Sequence, residues 1–220
     1  MSLVCAGRTD SGVHARCQVA HFDTGAVRSL RAWVLGANTE LPADISLRWA
    51  LPVPQHFHAR YSAERRTYRY FITNRPWRSA LSTGRAAAIF RPLDVARMRE
   101  AARPLIGDHD FCAFRSVFCQ ARTSRRQLTE LSVERHGELI TIEATANSFL
   151  HHMVRNLVGL LIDAGLGKLD ADQARAILES KDRKRASATA PAHGLYFWRA
   201  HYPAAFDLPV DRSAMIAPWL

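Results

Sequence analysis

Asp10 stands in the run Cys5-Ala-Gly-Arg-Thr-Asp-Ser-Gly-Val-His14, which also carries Arg8, Thr9 and His14. Val4 to Ala6 read as the end of a buried strand and Ser11-Gly12 as a turn, because glycine takes positive φ without steric cost. A strand that runs into a polar turn pushes Asp10 out of its sheet into a cleft, where an ionised carboxylate serves as nucleophile or base. Asp-Ser-Gly is also a common turn whose carboxylate only bonds nearby amides. Local residue types alone favour that second reading. The other candidate residues lie far along the chain. The stretch 65–74 (RRTYRYFITN) alternates with period two, with Arg66, Tyr68, Tyr70 and Ile72 on one face and Arg65, Thr67, Arg69 and Phe71 on the other. Arginines interleaved with aromatics on a strand suit single-stranded RNA or an extracted base. They equally suit core aromatics flanked by solvated charges. Arg155 falls inside the apolar face of a predicted helix, where a charge needs a partner. Arg115, Arg122, Arg125 and Arg126 form a basic cluster. His56 and His58 share a face if their segment is extended, but no third ligand has metal-site spacing, so a metal-dependent hydrolase is the weakest reading.

The composition bounds the partners. The net charge is +10, and lysine occurs only at 168, 181 and 184, so 27 of the 30 basic residues are arginine. That excess suits a polyanion, since arginine forks onto phosphate and stacks on bases. The four cysteines (Cys5, Cys17, Cys112 and Cys119) show neither C-x-x-C nor zinc-ribbon spacing. The first residues do not read as a secretory signal, and no apolar run approaches the ~18 residues of a membrane span. A cytoplasmic protein with free thiols is expected.

The candidate residues need elements to position them. Apolar periodicity predicts strands over 17–23, 45–51, 65–74 and 195–202, and a hairpin of strands 127–135 and 138–146 around His136-Gly137. It predicts helices over 29–37 with Ser29 as cap, over 93–106 ending at Gly107, from a Ser148 cap to about Gly165, and over 170–179. The segments 74–92 and 108–120 read as connections. The 220 residues allow two small domains. A Pro-rich segment at 52–59 divides them, giving an N-terminal domain over 1–58, a C-terminal domain over 59–209 and a tail over 210–220. Strands alternating with helices, with at least one hairpin, predict an α+β fold with antiparallel sheets.

Four blocks in order give a more specific reading. CAGRTDSGVH at 5–14, RRTYRYF at 65–71, SFLHHMVRN at 148–156 and GLYF at 194–197 resemble the motifs of the tRNA pseudouridine synthase A family. The resemblance implies two α/β domains joined across a basic catalytic cleft, and an enzyme that isomerises uridine to pseudouridine in the anticodon arm of tRNA. It implies no metal, no organic cofactor and a homodimer that tRNA bridges. Asp10 matches the family's catalytic aspartate and Tyr68 its active-site tyrosine, while Arg8, the neighbouring arginine, is expected to pair with the carboxylate and Arg155 to be its second partner. Leu195 is expected to close the apolar side of the pocket, with Tyr70 a second candidate beside Tyr68 that ranks as packing. Arg65, Arg69, Arg122, Arg125 and Arg126 are candidate RNA contacts, and His14 is expected to position the turn. The residues leave open whether Asp10 attacks the ribose, attacks the uracil or removes a proton. The family has a strand and a helix ahead of the catalytic motif, so this chain is expected to lack that segment and to expose a sheet edge. The alternative is a non-catalytic RNA-binding module.

Overall fold

Three two-residue strands open the chain: β1 (Val4–Cys5), β2 (His14–Ala15) and β3 (Ala20–His21). Helix α1 (Leu30–Glu40) follows, its first turn capped by the Ser29 hydroxyl, which accepts from the Ala32 amide at 3.2 Å. The long strand β4 (Arg65–Asn74) leads to the short β5 (Ala87–Ile89). Helix α2 (Val95–Ala102), capped by Asp94, is shorter than the expected 93–106. Pro104 cannot continue an α-helix, and residues Arg103–Leu105 tighten into a 3-10 turn. Then come β6 (Gly107–Asp110), β7 (Arg125–His136) and β8 (Leu139–Ala146), helices α3 (Met153–Gly165) and α4 (Ala171–Ser180), and β9 (Leu195–His201). This computed structural model describes residues 2–209 and 217, so the expected tail lies, Ala217 apart, outside the described residues.

Seven strands form one sheet in the order β2-β9-β4-β8-β7-β6, with β5 beside β4. β4 pairs antiparallel with β8 along one edge. Its other edge is shared, with β9 antiparallel along Arg65 to Tyr70 and β5 parallel along Ile72 to Asn74. β2 lies parallel to β9, while β1 and β3 form a separate antiparallel ladder. The mixed α/β architecture with mainly antiparallel pairing is the α+β class. One sheet face packs against the helices, around Tyr70, Ile72, Met98, Ile142, Leu157 and Leu161, all buried. The other carries Phe71, Tyr196 and Trp198, with the guanidinium groups of Arg16 and Arg69 over the Trp198 ring at 4.3 and 4.2 Å.

Four further expectations are corrected. Residues 45–51 form no strand, because the Asn38 side chain ties the Leu47 amide and carbonyl to α1 at 2.7 and 2.8 Å in place of a ladder. Residues 107–110 are a strand despite their polar sequence, since β7 offers an unpaired edge. Strand β5 lies within the expected 74–92 connection. The third helix starts at Met153 and not after Ser148.

Candidate active site

The Asp10 turn hangs between two anchors. On one side the Ala6 amide donates to the Val19 carbonyl at 2.8 Å, and the Gln18 side chain donates to the Gly7 carbonyl at 2.8 Å. On the other, β2 runs along β9 and the Arg16 amide donates to the Phe197 carbonyl at 2.9 Å. Between them the Val13 amide closes onto the Asp10 carbonyl at 3.0 Å, and Gly12 has φ 78°, a value that disfavours side chains. Gly7 lies on the Phe197 ring, where a Cβ would come within 3.0 Å of the ring edge. His14 holds this frame from outside: its ring stacks on Tyr196 and Nε2 lies 2.9 Å from the Gly84 carbonyl oxygen.

Three side chains from the start of α3 converge on the Asp10 carboxylate. His151 Nε2 lies 3.2 Å from Oδ1, His152 Nε2 lies 3.2 Å from Oδ2, and Arg155 Nη1 lies 3.5 Å from Oδ2. Arg155 is itself held, since Nε donates to the Ala190 carbonyl at 2.8 Å while the Ala190 amide donates to the Arg155 carbonyl at 3.1 Å. Burial, helped by His151, Arg155 and Arg183, holds the His152 pKa below the usual imidazole value against the opposing pull of Asp10. Asp10 nevertheless keeps 31% of its side-chain surface exposed, so a ligand can reach it. Among the described residues, Asp10, His151 and His152 are also the one trio whose ligand atoms, all within 4.8 Å of one another, could surround a cation. Arg155 already sets a positive charge against Oδ2, which opposes a second one. The trio is therefore read as a carboxylate flanked by two imidazoles at close N···O distance.

Tyr68 borders the same site. Its ring stands edge-to-face between Phe149 and Phe197, with centroids 5.1 and 5.2 Å away. No hydrogen bond among the described residues engages its hydroxyl. Burial, with Asp10 adding to it and Arg66 opposing, pushes its pKa up, so the group is a neutral phenol at physiological pH. Arg66 braces the floor. It donates to the carbonyls of Ala63 at 2.8 Å, Asn147 at 3.0 Å and Ala6 at 3.4 Å, and also to that of Arg60. One guanidinium thus joins the Asp10 segment to the connection between β8 and α3.

The expected residues divide in their placement. Asp10, Tyr68 and Arg155 come together. Arg8 is exposed and, among the described residues, makes no ion pair with Asp10, whose oxygens are taken by the α3 groups. Tyr70 is fully buried and donates to the Pro191 carbonyl at 2.8 Å, which leaves it no surface for substrate. Leu195, beside it, is part of the helix-side core. Arg69 points to the opposite sheet face, paired with Glu143 over Trp198. Arg125 pairs with Asp108 at 3.1 Å, and Arg126 folds back onto Thr123 at 3.1 Å. Arg65 and Arg122 are exposed. His58 is used locally, its Nδ1 accepting the amides of Arg60 and Tyr61, and His56 packs on Phe206. Residue types alone had not singled out His151, His152, Arg66, Phe149 or Phe197. The available signal for the two histidines was their place in one turn with Arg155, in a helix already expected to bring a cation to Asp10.

The model of a family described as tRNA pseudouridine synthase matches residues 101–203. Among curated proteins, the chain is 48% identical over 209 residues to tRNA pseudouridine synthase A of Pseudomonas aeruginosa, covering 95% of this chain and 73% of the relative. Its identity to the protein of the same name from Shewanella amazonensis is 51% over 209 residues, covering 95% and 80%. With that of Legionella pneumophila it is 47% over 219 residues, covering 100% and 84%.

Proposed function

The chain belongs to the tRNA pseudouridine synthase A family, and from that premise we propose that it isomerises uridine to pseudouridine in tRNA with Asp10 as the reacting carboxylate. The reaction breaks the bond from uracil N1 to ribose C1′ and joins C1′ to C5. The proton lost from C5 balances the one gained at N1, so neither a redox partner nor water is consumed. Asp10 attacks the ribose, attacks the uracil or takes a ribose proton. Each route needs an ionised carboxylate with an accessible oxygen. The observation that carries the reading is the partly exposed Asp10 carboxylate, surrounded by His151, His152 and Arg155, next to a Tyr68 hydroxyl that no hydrogen bond among the described residues engages.

The Tyr68 ring gives an extracted uracil an aromatic face, and its neutral O–H bonds the base as a donor. Extraction costs a few kcal/mol, which phosphate contacts offset. The exposed Arg8, Arg65 and Arg122 are the arginines we assign to that task. Val117 and Phe118 stand exposed on the loop that Ser116 ties to His151 through its amide, 2.9 Å from the His151 carbonyl oxygen. They form an apolar rim suited to unstacked bases. We assign the anticodon arm as the target region, the cytoplasm as the compartment and two copies of the chain as the working unit. We divide each copy at residue 58 into a part that carries Asp10 and a part that carries Tyr68 and Arg155. No helix among the described residues is long and apolar enough to cross a membrane.

Unmodified tRNA transcript incubated with the protein and then mapped for pseudouridine tests the assignment. Wild type is expected to modify it, and Asp10→Asn to bind RNA yet form no product. Equal product from both proteins would sink the role of Asp10.

A further inference from the structure

The connection between β8 and α3 bends in a way that its helix does not need. A residue preceding a helix usually takes an extended conformation and turns its side chain onto the first free amides. His152 does neither. Its φ and ψ are 63° and 2°, in the left-handed region, and its side chain makes no capping bond. A side chain is held there only when its surroundings over-determine it. The bend aims His152 Nε2 at Asp10 Oδ2, while the preceding His151 aims Nε2 at Oδ1, each at 3.2 Å. The two rings lie together with centroids 4.0 Å apart. Nδ1 of His151 is buried without a hydrogen-bond partner among the described residues, so its proton belongs on Nε2, where it meets the carboxylate. The oxygens are unequally held. Oδ2 has His152 and the anchored Arg155, and Oδ1 has His151 alone.

We propose that His151 and His152 are positioning residues for Asp10: His152 and Arg155 pin Oδ2, and His151 releases Oδ1, the oxygen that reacts with the nucleotide. This rests on Asp10 being the reacting carboxylate. The arrangement also sets a pH dependence. The groups facing His152 are Asp10 from the turn, His151 beside it, Arg155 on α3 and Arg183 beyond α4. The cations and burial keep the imidazole neutral to lower pH than its ordinary 6.5. Above that point a neutral N–H orients Oδ2. Below it an imidazolium neutralises the carboxylate and weakens it as a nucleophile, so activity falls on the acid side with a midpoint under 6.5.

His152→Gly removes the donor while relaxing the backbone. It is expected to melt at or above the wild-type temperature and to keep KM within about threefold, while kcat drops about tenfold to a hundredfold because the carboxylate is misplaced. His152→Asn tolerates the left-handed conformation and restores an N–H, so it should recover part of kcat without the acid limb. His151→Ala should cost less kcat than His152→Gly. Wild-type kcat with an unchanged acid limb in His152→Gly overturns the proposal, as does a His151→Ala loss that equals or exceeds it. Nitrogen-15 NMR of the free protein adds a readout independent of turnover. Asp10→Asn should move both Nε2 resonances, and unmoved resonances overturn the clamp. Moved resonances in a protein whose wild type makes no pseudouridine uphold the clamp and reject the function.

Discussion

Arg155 serves two partners with one guanidinium. Nε binds the Ala190 carbonyl and Nη1 reaches Asp10, so the side chain measures the distance between a backbone strap and the carboxylate. Lysine has the charge but not the fork. Arg155→Lys is therefore expected to slow single-turnover pseudouridine formation about tenfold to a hundredfold, the effect of losing one charge-assisted hydrogen bond of ~1.5–3 kcal/mol. Gly12→Ala forces a Cβ into positive φ and should lower stability in urea by about 1–2 kcal/mol, with product formation falling because the strain is released through the turn. At this scale the sequence was informative where a residue type is out of place. A carboxylate in a Gly-bounded turn and an arginine in an apolar helix face both ask for partners. His151 and His152 drew no such attention, because a histidine near a helix start is ordinary until the fold brings a carboxylate from 141 residues away in the case of His151.

The start of α3 depends on a neighbour that is not a regular element. Residues 186–191 cross the helix as a strap, held by Ala190 on Arg155, by the Pro191 carbonyl on Tyr70 and by the Ala188 carbonyl pressed against Gly159. Gly159→Ala would drive a methyl group into that carbonyl. It is expected to lower stability by about 1–3 kcal/mol, seen as a reduced melting temperature, and to reduce activity by shifting Ala190. Tyr70→Phe tests the other contact. It should lose about 1 kcal/mol of stability for one hydrogen bond, yet keep kcat within about twofold, since Tyr70 is fully buried. A large loss of kcat at unchanged stability would restore Tyr70 to the substrate site. The elements most legible in the sequence were those whose own pattern suffices. β4, β7 and β8 alternate, β9 opens on an apolar run, and Ser29 caps α1 as expected. The failures have tertiary causes. Ser148 reads as a cap, but the Asn147 side chain accepts the Ser148 amide at 2.8 Å, and the chain turns further before the helix begins. The alternation at 45–51 is real but meets no strand.

For the molecule as a whole, charge sets the terms of the encounter. A chain of +10 meeting a polyanion releases counterions, so kcat/KM should fall with salt. If Arg8, Arg65 and Arg122 each hold a phosphate, the logarithmic slope is about −2, from roughly −0.7 per single-stranded contact. Arg122→Ala should flatten it by about one contact, whereas Arg69→Ala, on the far sheet face, should leave it unchanged. Composition announced this level of behaviour. Which arginines carry it was hidden, because Arg69, Arg125 and Arg126 are spoken for by Glu143, Asp108 and their own loop only after folding.

The order in which the chain is made gives the β2–β9 pairing another consequence. β2 and the Arg16 amide dock on β9, and Gly7 rests on Phe197 of that same strand. On the ribosome, Asp10 emerges 185 residues ahead of Leu195, where the strand that supports it begins. A nascent chain short of Leu195 thus carries the carboxylate without the strand that mounts it. Ribosome-bound chains stopped before that point are expected to form no pseudouridine, however well they hold RNA. Until β9 is made, the proposed site lacks the mount of its carboxylate.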